Sequence, residues 1–157
     1  MLQDNARVAN TDVARKVGLA PSAVHERIRK LEERGLIQGY NARIDPRPVG
    51  RGLLAFVFVR GEDTDVSSET ARRLAEIPEV QEVHNVAGED CYLVKVRVGD
   101  PEALGRLLRE KISSLRSVRS TRTTIVLETV KESMAVPIGA TDERNGSTKK
   151  RAKGGKR

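Results

Sequence analysis

The sequence predicts an α+β chain built from two modules, and three observations carry that prediction. Two helical patterns share the first 36 residues with only Gly18, Leu19 and Ala20 between them, which is the length of a helix-turn-helix turn. From Leu53 onward the apolar period switches between two and 3.6 in the order strand, helix, strand, strand, helix, strand. "PRPVGRG", with two prolines and two glycines at 46–52, separates the two regions. The expected architecture is a winged-helix-like helix-turn-helix module at 1–36, a linker strand and hinge at 37–52, and a ferredoxin-like βαββαβ domain at 53–133. A disordered basic tail would follow at 134–157.

The charge divides along the same lines. The chain holds 29 Lys/Arg against 22 Asp/Glu, with a pI near 9.9. Residues 1–52 carry a net +4, residues 53–133 a net −2, and residues 134–157 a net +5. A mildly acidic centre between two basic ends points to a polyanionic partner for the ends. The lone Cys91 excludes an intrachain disulfide and fits a reducing, cytoplasmic location. The longest apolar run, "LLAFVFV" at 53–59, is far short of the roughly 20 residues of a membrane helix. The opening "MLQDNARVAN" lacks the apolar core of a signal peptide.

In "NTDVARKVGLA" Asn10 is the expected N-cap, Asp12 suits the positive end of the helix dipole, and Val13 and Val17 share a face. Gly18 ends this helix, and Pro21 suits the first position of the next. There Val24, Ile28 and Leu31 lie within about 60° on a helical wheel and form the buried stripe. Ser22, Glu26 and Arg29 project opposite, His25 and Lys30 flank them, Arg27 lies nearer the core edge, and Gly35 is the stop. This is the pattern of a DNA-reading helix. Ser22, Ala23, His25 and Glu26 on the N-terminal turn would reach base edges, while Arg27, Arg29 and Lys30 would hold phosphates or guanines. The bland alternative is an ordinary solvated helix face, since Glu32 and Glu33 offset much of the charge. No His/Cys/Asp/Glu cluster at ligand spacing accompanies His25, so no metal is expected.

"LIQGYNARIDP" alternates weakly through Ile37, Tyr40, Ala42 and Ile44 and reads as an extended segment. In the central domain "LLAFVFV" reads as a buried strand, "SSETARRLAEI" as a helix, and "VHNVAG" and "CYLVKVRV" as strands. Tyr92, Val94, Val96 and Val98 alternate along the last of these. Asp100-Pro101 is a helix start, Leu104, Leu107, Leu108, Ile112 and Leu115 form its stripe, and "TRTTIVLETV" closes as a strand. An RNA-recognition module shares this order, but here the third strand offers only Tyr92 for stacking bases. The loop "AGEDCY" is the candidate ligand site. Gly88 permits tight curvature, and Glu89 and Asp90 place carboxylates beside backbone N–H groups, a combination able to hold a zwitterion. Alone, the same residues also describe a polar β-turn.

The whole chain resembles the Lrp/AsnC, or feast/famine, family of transcription regulators. "LAPSAVHERIRKLEERGLIQGYNARIDP" is similar to the family's recognition helix and linker strand; "HNVAGEDCYLVKVRV" and "TRTTIVLETVK" are similar to its effector-domain core. The resemblance implies a homodimer formed through the βαββαβ domains, often assembled into an octamer, that binds double-stranded operator DNA. It also implies an amino acid or related small molecule as effector, lying between subunits. The residues near it would be Gly88, Glu89, Asp90, Cys91 and Tyr92, with Thr123, Thr124, Ile125 and Val126 of the final strand. Neither a catalytic residue nor a cofactor is implied.

Three departures stand out. Many members carry Asp directly before the loop's aromatic residue, where this chain has Cys91, which argues against leucine as effector. Ala20 replaces the usual Ser or Thr N-cap, at about 1 kcal/mol. Most of the family's first helix is absent before "LQDNAR", so a natural start upstream of Met1 is expected. Two rival functions remain: a nonspecific chromatin-like DNA packager, suggested by the tail, and a sirohaem-decarboxylase-like enzyme, for which the central domain offers only His84.

Overall fold

The computed structural model describes residues 1–61 and 69–138, which fall into two compact units. Of the expected tail at 134–157, residues 139–157 lie outside the described residues. The division falls at 41/42 and again at 131/132, so the N-terminal unit takes residues 1–41 together with the chain from Glu132.

In the N-terminal unit α1 spans Asn10–Val17 and α2 spans Pro21–Glu33. The helix starts are weakly capped. Ala9, not Asn10, is the N-cap of α1, because the backbone turns helical one residue earlier than the polar side chain suggested. Ala20 caps α2 without a side-chain bond, and Pro21 supplies the rigid first position. Gly18 ends α1 in the left-handed conformation, at φ 70°, which a side chain would strain. Val13, Ala14 and Val24 form the buried centre, and Val8, Leu19 and Ile28 pack around it. Val17, placed by its spacing on the buried face, is 50% exposed because no described residue closes that end of the stripe. The expected linker strand does not form at 37–52. A strand needs a pairing edge, and no described residues supply one to this segment. The first residues of the expected tail are held in place: the Gln3 side-chain amide donates to the Val136 carbonyl (2.9 Å) and accepts from its N–H (2.7 Å).

The second unit is a four-stranded sheet in the order β2-β3-β1-β4, with β1 Leu53–Gly61, β2 Val80–Asn85, β3 Tyr92–Val98 and β4 Val118–Ile125. Every neighbouring pair is antiparallel. With α3 (Glu69–Ala75) after β1 and α4 (Pro101–Arg106) after β3, this is the βαββαβ order the sequence predicts. Two strands are displaced from their expected positions. β2 begins at Val80 rather than Val83, and β4 ends at Ile125, leaving Leu127 and Val130 exposed.

One sheet face carries the core: Ala55, Val57 and Val59 of β1 and Tyr92, Val94, Val96 and Val98 of β3 are buried against Leu74, Leu104, Leu107 and Ile112. Asp100 caps α4 by accepting from the Ala103 N–H at 2.7 Å. Beyond Arg106 the helix widens into a π-helical turn, Leu107–Ile112. A five-residue repeat brings both Leu107 and Ile112 to the core, and the Ser113 N–H reaches back to the Leu108 carbonyl. Buried Thr70 bonds the Ser117 hydroxyl, so its polar group is satisfied.

Two carboxylates tie this unit together at its surface. Lys111 donates to both oxygens of Glu79 at 2.9 Å, and Glu82 meets His84 at 3.1 Å and Lys95 at 3.0 Å. These partners, Lys111 for Glu79 and His84 then Lys95 for Glu82, hold both carboxyls below the ordinary glutamate value. A depressed carboxyl pKa contributes stability that is complete above the unfolded value and lost as pH falls through the folded one. The melting temperature is therefore expected to drop below about pH 4.5, and Glu79→Gln should flatten that part of the profile. An identical acid limb in wild type and variant would rule out Glu79 as a contributor.

Candidate DNA-reading helix and effector site

On α2 the candidate reading face is open. Ser22, His25, Arg27, Arg29 and Lys30 are exposed; Ala23 and Glu26 are partly buried. Arg29 is not idle on this surface. Its Nε and Nη2 donate to Glu26 at 3.1 and 2.8 Å, its Nη1 meets Glu33, and Lys30 also approaches Glu26 at 3.5 Å. The Arg29 guanidinium holds the Glu26 carboxyl below its ordinary pKa, and Glu26 in turn raises that of Arg29. Solvent screens such exposed pairs, so a phosphate can compete for them. Arg27, which the wheel placed near the core edge, is exposed and has no ion-pair partner among the described residues. Past the helix, the Tyr40 hydroxyl donates to Glu32 at 2.8 Å, and that bond pushes its pKa up.

The second candidate site lies where β2 passes into β3. The Val86 N–H and the Asn85 side-chain amide both donate to the Cys91 carbonyl, at 3.1 and 3.2 Å, pinching residues 86–91 into a closed loop. The Cys91 N–H donates to Val59, and its thiol packs against the Gly61 backbone at 3.4 Å. Cys91 and Tyr92 are buried, so their side chains serve the core and only their backbone faces the loop. Among the described residues, the backbone N–H groups of Ala87, Gly88, Glu89 and Asp90 find no acceptor. Gly88 sits at φ 137°, a backbone conformation L side chains rarely adopt, with open space where a Cβ would stand.

Asp90 is 23% exposed and meets Arg122 of β4 at 3.1 Å. The same guanidinium lies over the Phe58 ring, 4.0 Å from its centroid, and Phe58 is the direct cross-strand partner of Arg122. The loop and the last strand therefore do meet, but through Arg122. Thr123 to Val126 begin one residue later and run away along β1, with Thr123 opposite Val57 and Thr124 opposite Phe56. Arg122 and Phe58 were not among the expected site residues. The signal was an arginine inside the threonine-rich strand "STRTTI", opposite an aromatic once the register is known. His84, the one histidine of the central domain, is half exposed and paired with Glu82. No group of three or more potential metal ligands occurs among the described residues. No helix among them is long and apolar enough to cross a membrane.

A helix-turn-helix followed by a βαββαβ sheet domain is the architecture of a DNA-binding regulator that carries a second, separate domain. Comparison with known proteins gives that class its family. Residues 1–38 match a model described as winged helix-turn-helix DNA-binding, and residues 54–136 match the Lrp/AsnC ligand binding domain. The chain belongs to the Lrp/AsnC family of transcription regulators. It is 40% identical to the leucine-responsive regulatory protein of Escherichia coli over 140 residues, which cover 87% of this chain and 85% of that one. Among solved structures it is similar to a transcriptional regulator of Neisseria meningitidis in complex with L-Met, with a TM-score of 0.81 and 28% identity over 87% of this chain and 89% of that one. It is also similar to a feast or famine regulatory protein of Mycobacterium tuberculosis complexed with L-methionine, with a TM-score of 0.78 and 39% identity over 86% and 90% of the two chains.

Proposed function

We propose that this regulator reads operator DNA in the cytoplasm through Ser22, Ala23, His25 and Glu26 of α2, with Arg27, Arg29 and Lys30 on phosphates or guanines, and that an α-amino acid bound at Gly88 to Tyr92 controls it. The observation that carries the effector reading is the β2–β3 loop. It combines four N–H donors that no described residue engages with the Asp90 carboxylate, the complement of a zwitterion. Two similar regulators of known structure hold L-methionine, which supports the ligand class. An exposed apolar sheet face supports assembly as a homodimer. Phe56 and Leu93 are only partly buried on the face turned away from the helices, and a second copy would cover them.

A thermal-shift series with the L-amino acids tests the reading. A ligand that favours the native state raises apparent stability by about 2.7 kcal/mol at a hundred times its Kd. At least one amino acid should raise the melting temperature of the wild-type chain. Gly88→Trp, which strains the loop and fills its open side, should remove that shift. If no amino acid acts, or if Gly88→Trp responds as the wild type does, the effector site is not this loop.

A further inference from the structure

We propose that Asp90 and Arg122 are the two charged ends of the effector site, paired with each other when it is empty and parted by the ligand when it is full. The ammonium of an α-amino acid would then replace the guanidinium on Asp90, and its carboxylate would take Arg122 as partner. The inference rests on the amino-acid reading above and adds a residue, an orientation and a preference to it.

Three features of the pair support it. The first is position: the pair joins the loop, whose N–H groups no described residue engages, to the strand across from it, rather than lying on a remote surface. The second is asymmetry. Asp90 is mostly enclosed, with 23% of its side chain exposed, whereas Arg122 is 64% exposed on the edge strand β4 and free to swing on its long stem. Parting such a pair costs little, because its guanidinium end is largely solvated. Insertion of a zwitterion leaves neither charge unpartnered, and a guanidinium binds a carboxylate through two parallel hydrogen bonds. The third is what Arg122 covers. Its guanidinium now stacks on Phe58, and moving it aside exposes an aromatic face to the ligand's own side chain. The site thus selects α-amino acids with an apolar side chain, and it discriminates against amides and deaminated acids.

The test uses the full chain and the L-amino acid that stabilises the wild type most. Its affinity is measured by calorimetry alongside those of its primary amide and its deaminated acid, for wild type, Arg122→Gln, Arg122→Lys and Asp90→Asn. Wild type should prefer the amino acid to the amide by at least tenfold. Arg122→Gln should lose tenfold or more for the amino acid while binding the amide as before, which erases the preference; Arg122→Lys should restore part of it. Asp90→Asn should instead erase the preference over the deaminated acid. Ligand-free melting temperatures establish that each variant is folded. The proposal is overturned if wild type binds an amino acid and Arg122→Gln binds it equally well or more tightly, the result expected if Arg122 merely blocks Asp90. If wild type binds no amino acid at all, the underlying reading fails on that measurement alone, and this proposal fails with it.

Discussion

Replacing Val24 by aspartate is expected to abolish operator binding while leaving the central domain folded. Among its described residues the N-terminal unit buries only the apolar side chains of Val13, Ala14 and Val24, with Val8, Leu19 and Ile28 partly packed around them. At about 1.5–3 kcal/mol for each large apolar side chain fully buried, this core has little reserve. Val24 is 3% exposed at its centre. A carboxylate there meets no cation among the buried residues, and an uncompensated buried charge costs several kcal/mol. That is enough to unfold a core of this size. The central domain, with thirteen buried residues in its own cluster, has a separate source of stability. In amide exchange, residues 10–35 of Val24→Asp should lose protection while β1 and β3 keep theirs, and a gel shift should show no operator complex. Operator affinity within threefold of wild type would contradict the estimate. Simultaneous loss of protection in both units would show that they do not fold independently.

How far the sequence could be read depended on the range of the interaction concerned. Local features were legible. Gly18 and Gly35 were expected as helix stops and both adopt positive φ. The alternation Tyr92, Val94, Val96, Val98 matches four buried side chains, and Asp100 caps the helix that Pro101 begins. Features set by a neighbour were not. The cap of α1 moved to Ala9, and β2 starts three residues early, because helix and strand ends follow hydrogen bonding rather than side-chain preference. Leu107 and Ile112 share the core five residues apart, a spacing that a 3.6-residue period cannot reconcile and a π turn can. In the candidate effector site the turn between β2 and β3 was readable from "AGEDCY", but Asp90 and Arg122 are 32 residues apart and adjacent only once β4 is in register with β1. On α2 the wheel predicted direction well and partnership poorly: it showed Arg29 facing solvent but not that Glu26 and Glu33 hold it.

That partnership shapes the expected behaviour of the reading helix. Arg27 is exposed and unpaired among the described residues, so it offers a full charge to DNA at no cost in broken pairs. Arg29 and Lys30 must first leave Glu26, which weakens their net contribution without removing it. Arg27→Ala should therefore reduce affinity for operator and random DNA alike, and lower the slope of log K against log salt by about 0.9. Arg29→Ala and Lys30→Ala should weaken binding in the same sequence-independent way but by less. Glu26→Gln should release Lys30 and leave Arg29 only its Glu33 partner, and it should raise affinity for random DNA because one negative charge facing the polyanion is removed as well. Ser22 and His25 sit on the exposed N-terminal turn, where side chains reach base edges, so their substitution should change which operator is preferred, by ~1–3 kcal/mol for each discriminating contact. Salt-titrated gel shifts on operator and random duplexes separate these outcomes. If Arg27→Ala leaves the salt slope unchanged, and Ser22 and His25 variants keep the wild-type operator preference, then α2 is not the element that enters the groove.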